Sequence, residues 1–154
     1  INAVSDALGY VEWGIKENKL ARPLGIFDCD ESSCVDDVEA KYSRRSLTHL
    51  RNNMIGFRKI FSGCGEQYEG LGFDDYLTAM GSADLAQQID GAARAVLDAL
   101  DMMVEPDLVT ALENDVESVA ALHRAVGALS SLLRGQFLVI LNLELPQMVQ
   151  GDND

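Results

Sequence analysis

The chain has 154 residues, 47% hydrophobic and 6% aromatic, with a formal net charge of −13. That suffices for one domain with a packed core, and an Ala- and Leu-rich, aromatic-poor balance favours helices over a β-sandwich. The acidic charge argues against nucleic acid, whose phosphates need clustered Lys and Arg, and against docking on anionic lipid.

Ile1, Val4, Leu8, Val11 and Ile15 recur at spacings of 3 and 4, predicting one face of a first helix. Glu12 and Lys16 on it form a surface i,i+4 pair worth only about 0.2–0.5 kcal/mol. "ARPLG" (21–25) ends the helix. Residues 26–45 lack periodicity and read as a long loop, unusual inside a compact domain unless it is functional or tied down. A second helix starts near Ser46 and turns Leu47, Leu50, Met54, Phe57 and Phe61 inward. Residues 62–72 are loop, and a short helix covers 73–80. Ser82 is a candidate N-cap for a third long helix buried through Leu85, Ile89, Ala92, Val96, Leu100 and Met103, broken by "VEPD".

The fourth helix buries Leu108, Leu112, Val116, Val119, Leu122, Val126, Leu129, Leu133 and Phe137. Continuous to Leu141, it would run roughly 50 Å. Its end is ambiguous, because "FLVILNLEL" fits an extended segment as well as a helix. That apolar patch is broken by Asn142 and Glu144, and no run of about 20 apolar residues spans a bilayer. Four amphipathic helices with antiparallel neighbours predict an all-α, up-down four-helix bundle. The chain opens without Met or a visible signal peptide, as if in the middle of a structured region, so it reads as a processed chain or part of a longer one.

Chemistry is harder to find. His49 and His123 each sit beside an apolar stripe, neither begins H-E-x-x-H, and both read as surface or boundary residues. Cys29 and Cys34 lie among Asp28, Asp30, Glu31, Asp36, Asp37 and Glu39. Their spacing is too wide for a C-x-x-C redox pair, and no second Cys or His pair completes a zinc site. An EF-hand reading fits poorly, since the loop has Cys34 and Val35 near its middle and no central Gly. A local Cys29–Cys34 disulfide needs Cα atoms within about 7 Å, which a doubled-back loop provides. It would fix loop shape and point to an oxidising compartment, leaving Cys64 over. The acidic end, "GDND" (151–154), reads either as a solvated terminus or as carboxylates, Asp152 and Asp154, that fold back to a cleft.

Several segments, in order, resemble the imelysin-like (M75 peptidase) family: "YVEWGIKENKLARPLG" (10–25), "YSRRSLTHLRNNMIGFRKIFSG" (42–63), "GLGFDDYLTAMGSADLAQQIDGAARAVLDAL" (70–100), and the leucine-rich close with "LPQMVQGDND". The resemblance covers essentially the whole chain. It implies a fold of two related helical bundles with a cleft between them, of which residues 1–154 would be the C-terminal bundle, with a long loop at 26–45 and an acidic tail at 142–154. The family's Gly-x-His-x-x-Glu signature, in its N-terminal half, is not in this sequence.

The resemblance further implies a protein exported to the periplasm or bacterial cell surface and associated with iron or haem uptake. Such a protein would bind a metal, iron or another divalent ion, or a metal-bearing ligand in the cleft. Its partners would be the N-terminal half of the same protein and iron- or haem-uptake proteins, with no nucleic acid and no transmembrane segment. One alternative is a metal-dependent peptidase with catalytic His and Glu in the N-terminal half, and another is a non-catalytic docking bundle. Asn53, Arg58, Asp152 and Asp154 fall in matching motifs and are the ligand-cleft candidates.

Overall fold

The computed structural model of the chain describes residues 2–143. Among the described residues all regular structure is helical, as predicted for an all-α bundle. The first helix is α over Asn2–Tyr10 (α1) and continues as a π-helix over Val11–Ala21. Then come α2 (Ser46–Ser62), α3 (Phe73–Ala79), α4 (Ala83–Met102), α5 (Leu108–Asn114) and α6 (Val116–Leu132). A π turn, Leu133–Phe137, and a last turn, α7 (Leu138–Ile140), follow directly. α6 packs on α4, on α5 and on the π continuation of the first helix, while α2 packs on α4 and α3.

The π geometry changes which side chains face inward. Leu8, Val11 and Ile15 are buried, but Val4, placed on the same stripe from sequence, is exposed. Past Val11 the apolar positions recur as Val11, Ile15 and Leu20, at spacings of 4 and 5, the wider turn of an i→i+5 helix. Glu12, four residues after Leu8, lies on the same buried face. Ile1 lies outside the described residues.

α2 buries Leu50, Met54, Phe57 and Phe61, with Leu47 at the margin. It stops at Gly63, whose φ of 110° suits a residue without a Cβ. Ser82 stands at the N-cap of α4, yet its side chain makes no capping bond. Its carbonyl accepts from the amides of Leu85 and Ala86 instead. On α4 Ala93, and not Ala92, is the fully buried position, and Met103 packs only partly.

The predicted fourth helix is interrupted. Asp107 caps α5 by accepting from the Thr110 amide at 3.1 Å, and Asp115 caps α6 by accepting from the Ser118 amide at 3.3 Å. At Asp115 the chain leaves the helical region (φ −147°, ψ 59°), because a short acidic side chain competes for backbone amides and favours caps over helix interiors. Val116, just after the break, is consequently exposed, whereas Val119, Leu122, Val126, Leu129, Leu133 and Phe137 are buried as expected. The stretch that fitted either an extended segment or a helix is helical through Ile140. The Phe73 and Phe137 rings meet edge-on with centroids 5.4 Å apart, and Phe137 lies 6.4 Å from Phe61. These contacts join α2, α3 and the last π turn, each aromatic pair contributing about 0.5–1.5 kcal/mol beyond its buried area.

Residues 26–45 form the expected long connection, with one 3₁₀ turn at Val35–Asp37. Cys29 and Cys34 are disulfide-bonded, with Cα atoms 6.1 Å apart, and Cys64 is free and exposed. The loop is tied down along its length. Gly25 (φ 78°) presses against the Ser32 carbonyl, where a Cβ would clash at 2.5 Å, and the Cys34 amide donates to the Pro23 carbonyl. Three of the loop's acids are paired with bases in the loop or just before it. Asp28 pairs with Arg22, Asp36 with Lys41, and Glu39 with Lys19 at 2.9 Å.

Candidate functional site

Of the sequence-derived cleft candidates, Arg58 lines a groove and Asn53 does not. Asn53 is half-buried on α2, and its side-chain nitrogen is buried without a hydrogen-bond partner. Asp152 and Asp154 lie outside the described residues.

The groove runs between α2 and α4 and is closed at one end by α3 and the loop before it. It has two adjoining lobes of about 440 and 370 Å³, within the size range of small-molecule sites, and both are lined by Arg58, Tyr68 and Arg94. Arg58 stacks its guanidinium on the Tyr68 ring, 3.8 Å from the centroid, and that contact divides the lobes. Tyr68 itself sits at φ 60°, a backbone state a bulky residue adopts only at a cost of about 1–3 kcal/mol.

Asp90 accepts from both arginines, from Arg58 at 3.3 Å and from Arg94. The Arg58 bond is long for a charge-assisted one, and the Arg58 Nε is buried without a partner. The larger lobe is also lined by Asp74 and Asp75 at the start of α3. Their oxygens accept only neighbouring backbone amides, from Asp75 and Gly72, and neither pairs with a cation among the described residues. Burial, with the Asp75 charge beside it, lifts the Asp74 carboxyl above its ordinary value, overriding the opposing backbone hydrogen bonds. The groove therefore brings into one lining a guanidinium with unused donors and carboxylates with unused acceptor capacity.

A second polar cluster lies between the first helix and α6, where the sequence showed only a surface ion pair. Glu12 is 3% exposed. Its carboxylate accepts from Lys16 at 2.8 Å, from Arg134 at 3.0 Å and from the Ser130 hydroxyl, and Lys16 also pairs with Glu17 at 2.7 Å. Burial alone would raise the Glu12 carboxyl, but the hydrogen bonds from Lys16 and Ser130 and the charges of Lys16 and Arg134 hold it below its ordinary value. Both π segments contribute, one supplying Glu12, Lys16 and Glu17, the other Arg134. The sequence signals for this cluster were the position of Glu12 directly after Val11 and the serine between Leu129 and Leu133. The charges balance within the cluster, which suits an internal lock between the first helix and α6.

The histidines divide. The His49 side chain is nearly half exposed, 4.0 Å from Glu39. His123 is half-buried with its Nε2 buried and unpartnered, and burial pushes its imidazole below the ordinary value. Among the described residues no three of His, Cys, Asp and Glu come together in a way that would hold a metal ion.

The described residues thus form an all-helical bundle with a polar, arginine-bearing groove and an internal ion network. The Imelysin family model (peptidase family M75) matches residues 3–136, and the chain belongs to the imelysin family. No curated protein and no solved structure gives a significant match.

Proposed function

We propose that this chain is a ligand-binding bundle of an exported imelysin-family protein that serves bacterial iron or haem acquisition. Family membership across residues 3–136 carries the reading. The Cys29–Cys34 disulfide supports export, since such bonds persist in oxidising compartments. The smaller lobe of the groove, lined by Arg51, Arg58 and Arg94 and without Asp74 or Asp75, supplies guanidinium donors for a ligand's anionic groups. A metal-bearing ligand suits it better than a bare ion, because the described residues offer cationic donors and no three-residue metal set. Iron-uptake proteins and a second bundle of the same protein are the partners this reading calls for.

The test is the metal and haem content of the intact protein as purified, with wild type compared with Arg58→Gln. Retention of iron or haem by wild type, weakened about tenfold or more in the variant, is the expected outcome. Wild-type protein that neither retains nor takes up either ligand would end the proposal. The alternative is a metal-dependent peptidase with catalytic His and Glu in the N-terminal half of the protein, for which only the family's peptidase name speaks. It requires chelator-sensitive cleavage of a protein substrate by the intact protein.

A further inference from the structure

We infer that the larger lobe of the Arg58 groove recognises a zwitterion of the amino-acid type, a carboxylate and a protonated amine on one small molecule. The inference rests on this groove being the ligand site and names the chemistry of what enters it. It holds whether or not the ligand also carries a metal.

Charge and geometry lead there together. A lobe lined by arginine alone would select an anion, and one lined by aspartate alone a cation. This lobe is lined by Arg58 and Arg94, from α2 and α4, and by Asp74 and Asp75 at the start of α3, within about 440 Å³. Asp90 already neutralises part of the two guanidinium charges, so the arginine side is not a strong general anion trap. What remains there is directional hydrogen-bonding capacity. Arg58 has five N–H donors and makes one long bond, from a terminal guanidinium nitrogen to Asp90.

At the α3 end of the lobe Asp74 and Asp75 hold their carboxylates in place through backbone amides. Each oxygen can accept further bonds, and among the described residues neither aspartate pairs with a cation. An incoming ammonium would complete the aspartates while the ligand's carboxylate completes Arg58. Each end then gains charge-assisted hydrogen bonds. An ordinary anion would meet Asp74 and Asp75 uncompensated, and an ordinary amine would meet Arg58. That makes discrimination against both a matter of repulsion as well as attraction.

The lobe has room for a free amino acid or for a short peptide, which present the same pair of end groups. The test is calorimetric titration of the intact protein with free amino acids, with triglycine, and with triglycine blocked by acetylation at the amine or amidation at the carboxyl. Binding by free amino acids alone assigns the smaller ligand, and binding by triglycine assigns a peptide. In either case blocking one end of the bound molecule should weaken it about tenfold or more, as should Arg58→Gln and, separately, the double change Asp74→Asn with Asp75→Asn. Circular dichroism of each variant establishes that the bundle is intact. Two results would overturn the inference: no binding of any unblocked zwitterion, or equal binding of blocked and unblocked forms. Iron or haem retention is read separately, so loss of that activity with zwitterion binding preserved would sink only the acquisition role.

Discussion

Replacing Glu12 with alanine should destabilise the bundle more than any surface ion pair could. The carboxylate accepts three hydrogen bonds, and truncation strands each donor differently. Ser130, 1% exposed, would keep a buried hydroxyl without its acceptor, which costs about 1–3 kcal/mol. Lys16 still has Glu17 at 2.7 Å, and the Arg134 side chain, 34% exposed, can be rehydrated, so their share is small. With the lost methylene, about 0.8 kcal/mol, the total is about 2–4 kcal/mol. That is somewhat below the roughly 3–5 kcal/mol of a fully buried pair broken on one side. At about 2–4 °C per kcal/mol for a chain of this size, Tm should fall by roughly 5–15 °C.

The measurement is urea and thermal unfolding followed by far-UV circular dichroism, repeated across pH. The Glu12 carboxyl titrates lower when folded than when unfolded. Its stabilisation is therefore complete above the unfolded value, about pH 4.3, and is lost as pH falls through the folded value. The gap between wild type and variant should narrow there. A Glu12→Ala protein within about 0.5 kcal/mol of wild type at pH 7 would refute the buried network.

Asp115→Ala should cost about 1 kcal/mol by removing the cap on α6, measured by the urea midpoint. Converting Cys29 and Cys34 to serine should cost no more than about 2 kcal/mol, since the closed loop is short, and leave the far-UV spectrum unchanged. His123 should titrate below its unfolded value of about 6.5 by NMR. Below that pH the unfolded chain binds a proton that the folded one does not, so stability falls as pH falls. His123→Asn should flatten that slope between about pH 6.5 and the folded value, with no effect above it.

Periodicity revealed the helices because burial in α2, α4 and α6 follows one apolar stripe each. Leu50, Met54, Phe57 and Phe61 face the core as their spacing requires. It failed where backbone hydrogen bonding departs from that period. In the π segment Leu20, five residues past Ile15, is buried, a spacing that an i,i+3/i+4 stripe does not contain. The break at Asp115 was visible only as an acid between two apolar runs, and an acid there is equally at home on a helix's solvated face. Cys29–Cys34 was legible because a short loop forces the two residues together. Arg58 could be named from its motif, but Tyr68, Asp74, Asp75 and Asp90 could not. They meet it through the packing of α2, α3 and α4, and their sequence separations carry no signal of that meeting.

The most direct test of the acquisition role is an equilibrium titration of the metal-free intact protein with haem and with ferric citrate, followed by absorbance. Saturable binding of one of them by wild type, with Arg58→Gln about tenfold weaker, is the expected result. No saturable binding of either, in protein whose circular dichroism shows the folded bundle, would contradict it.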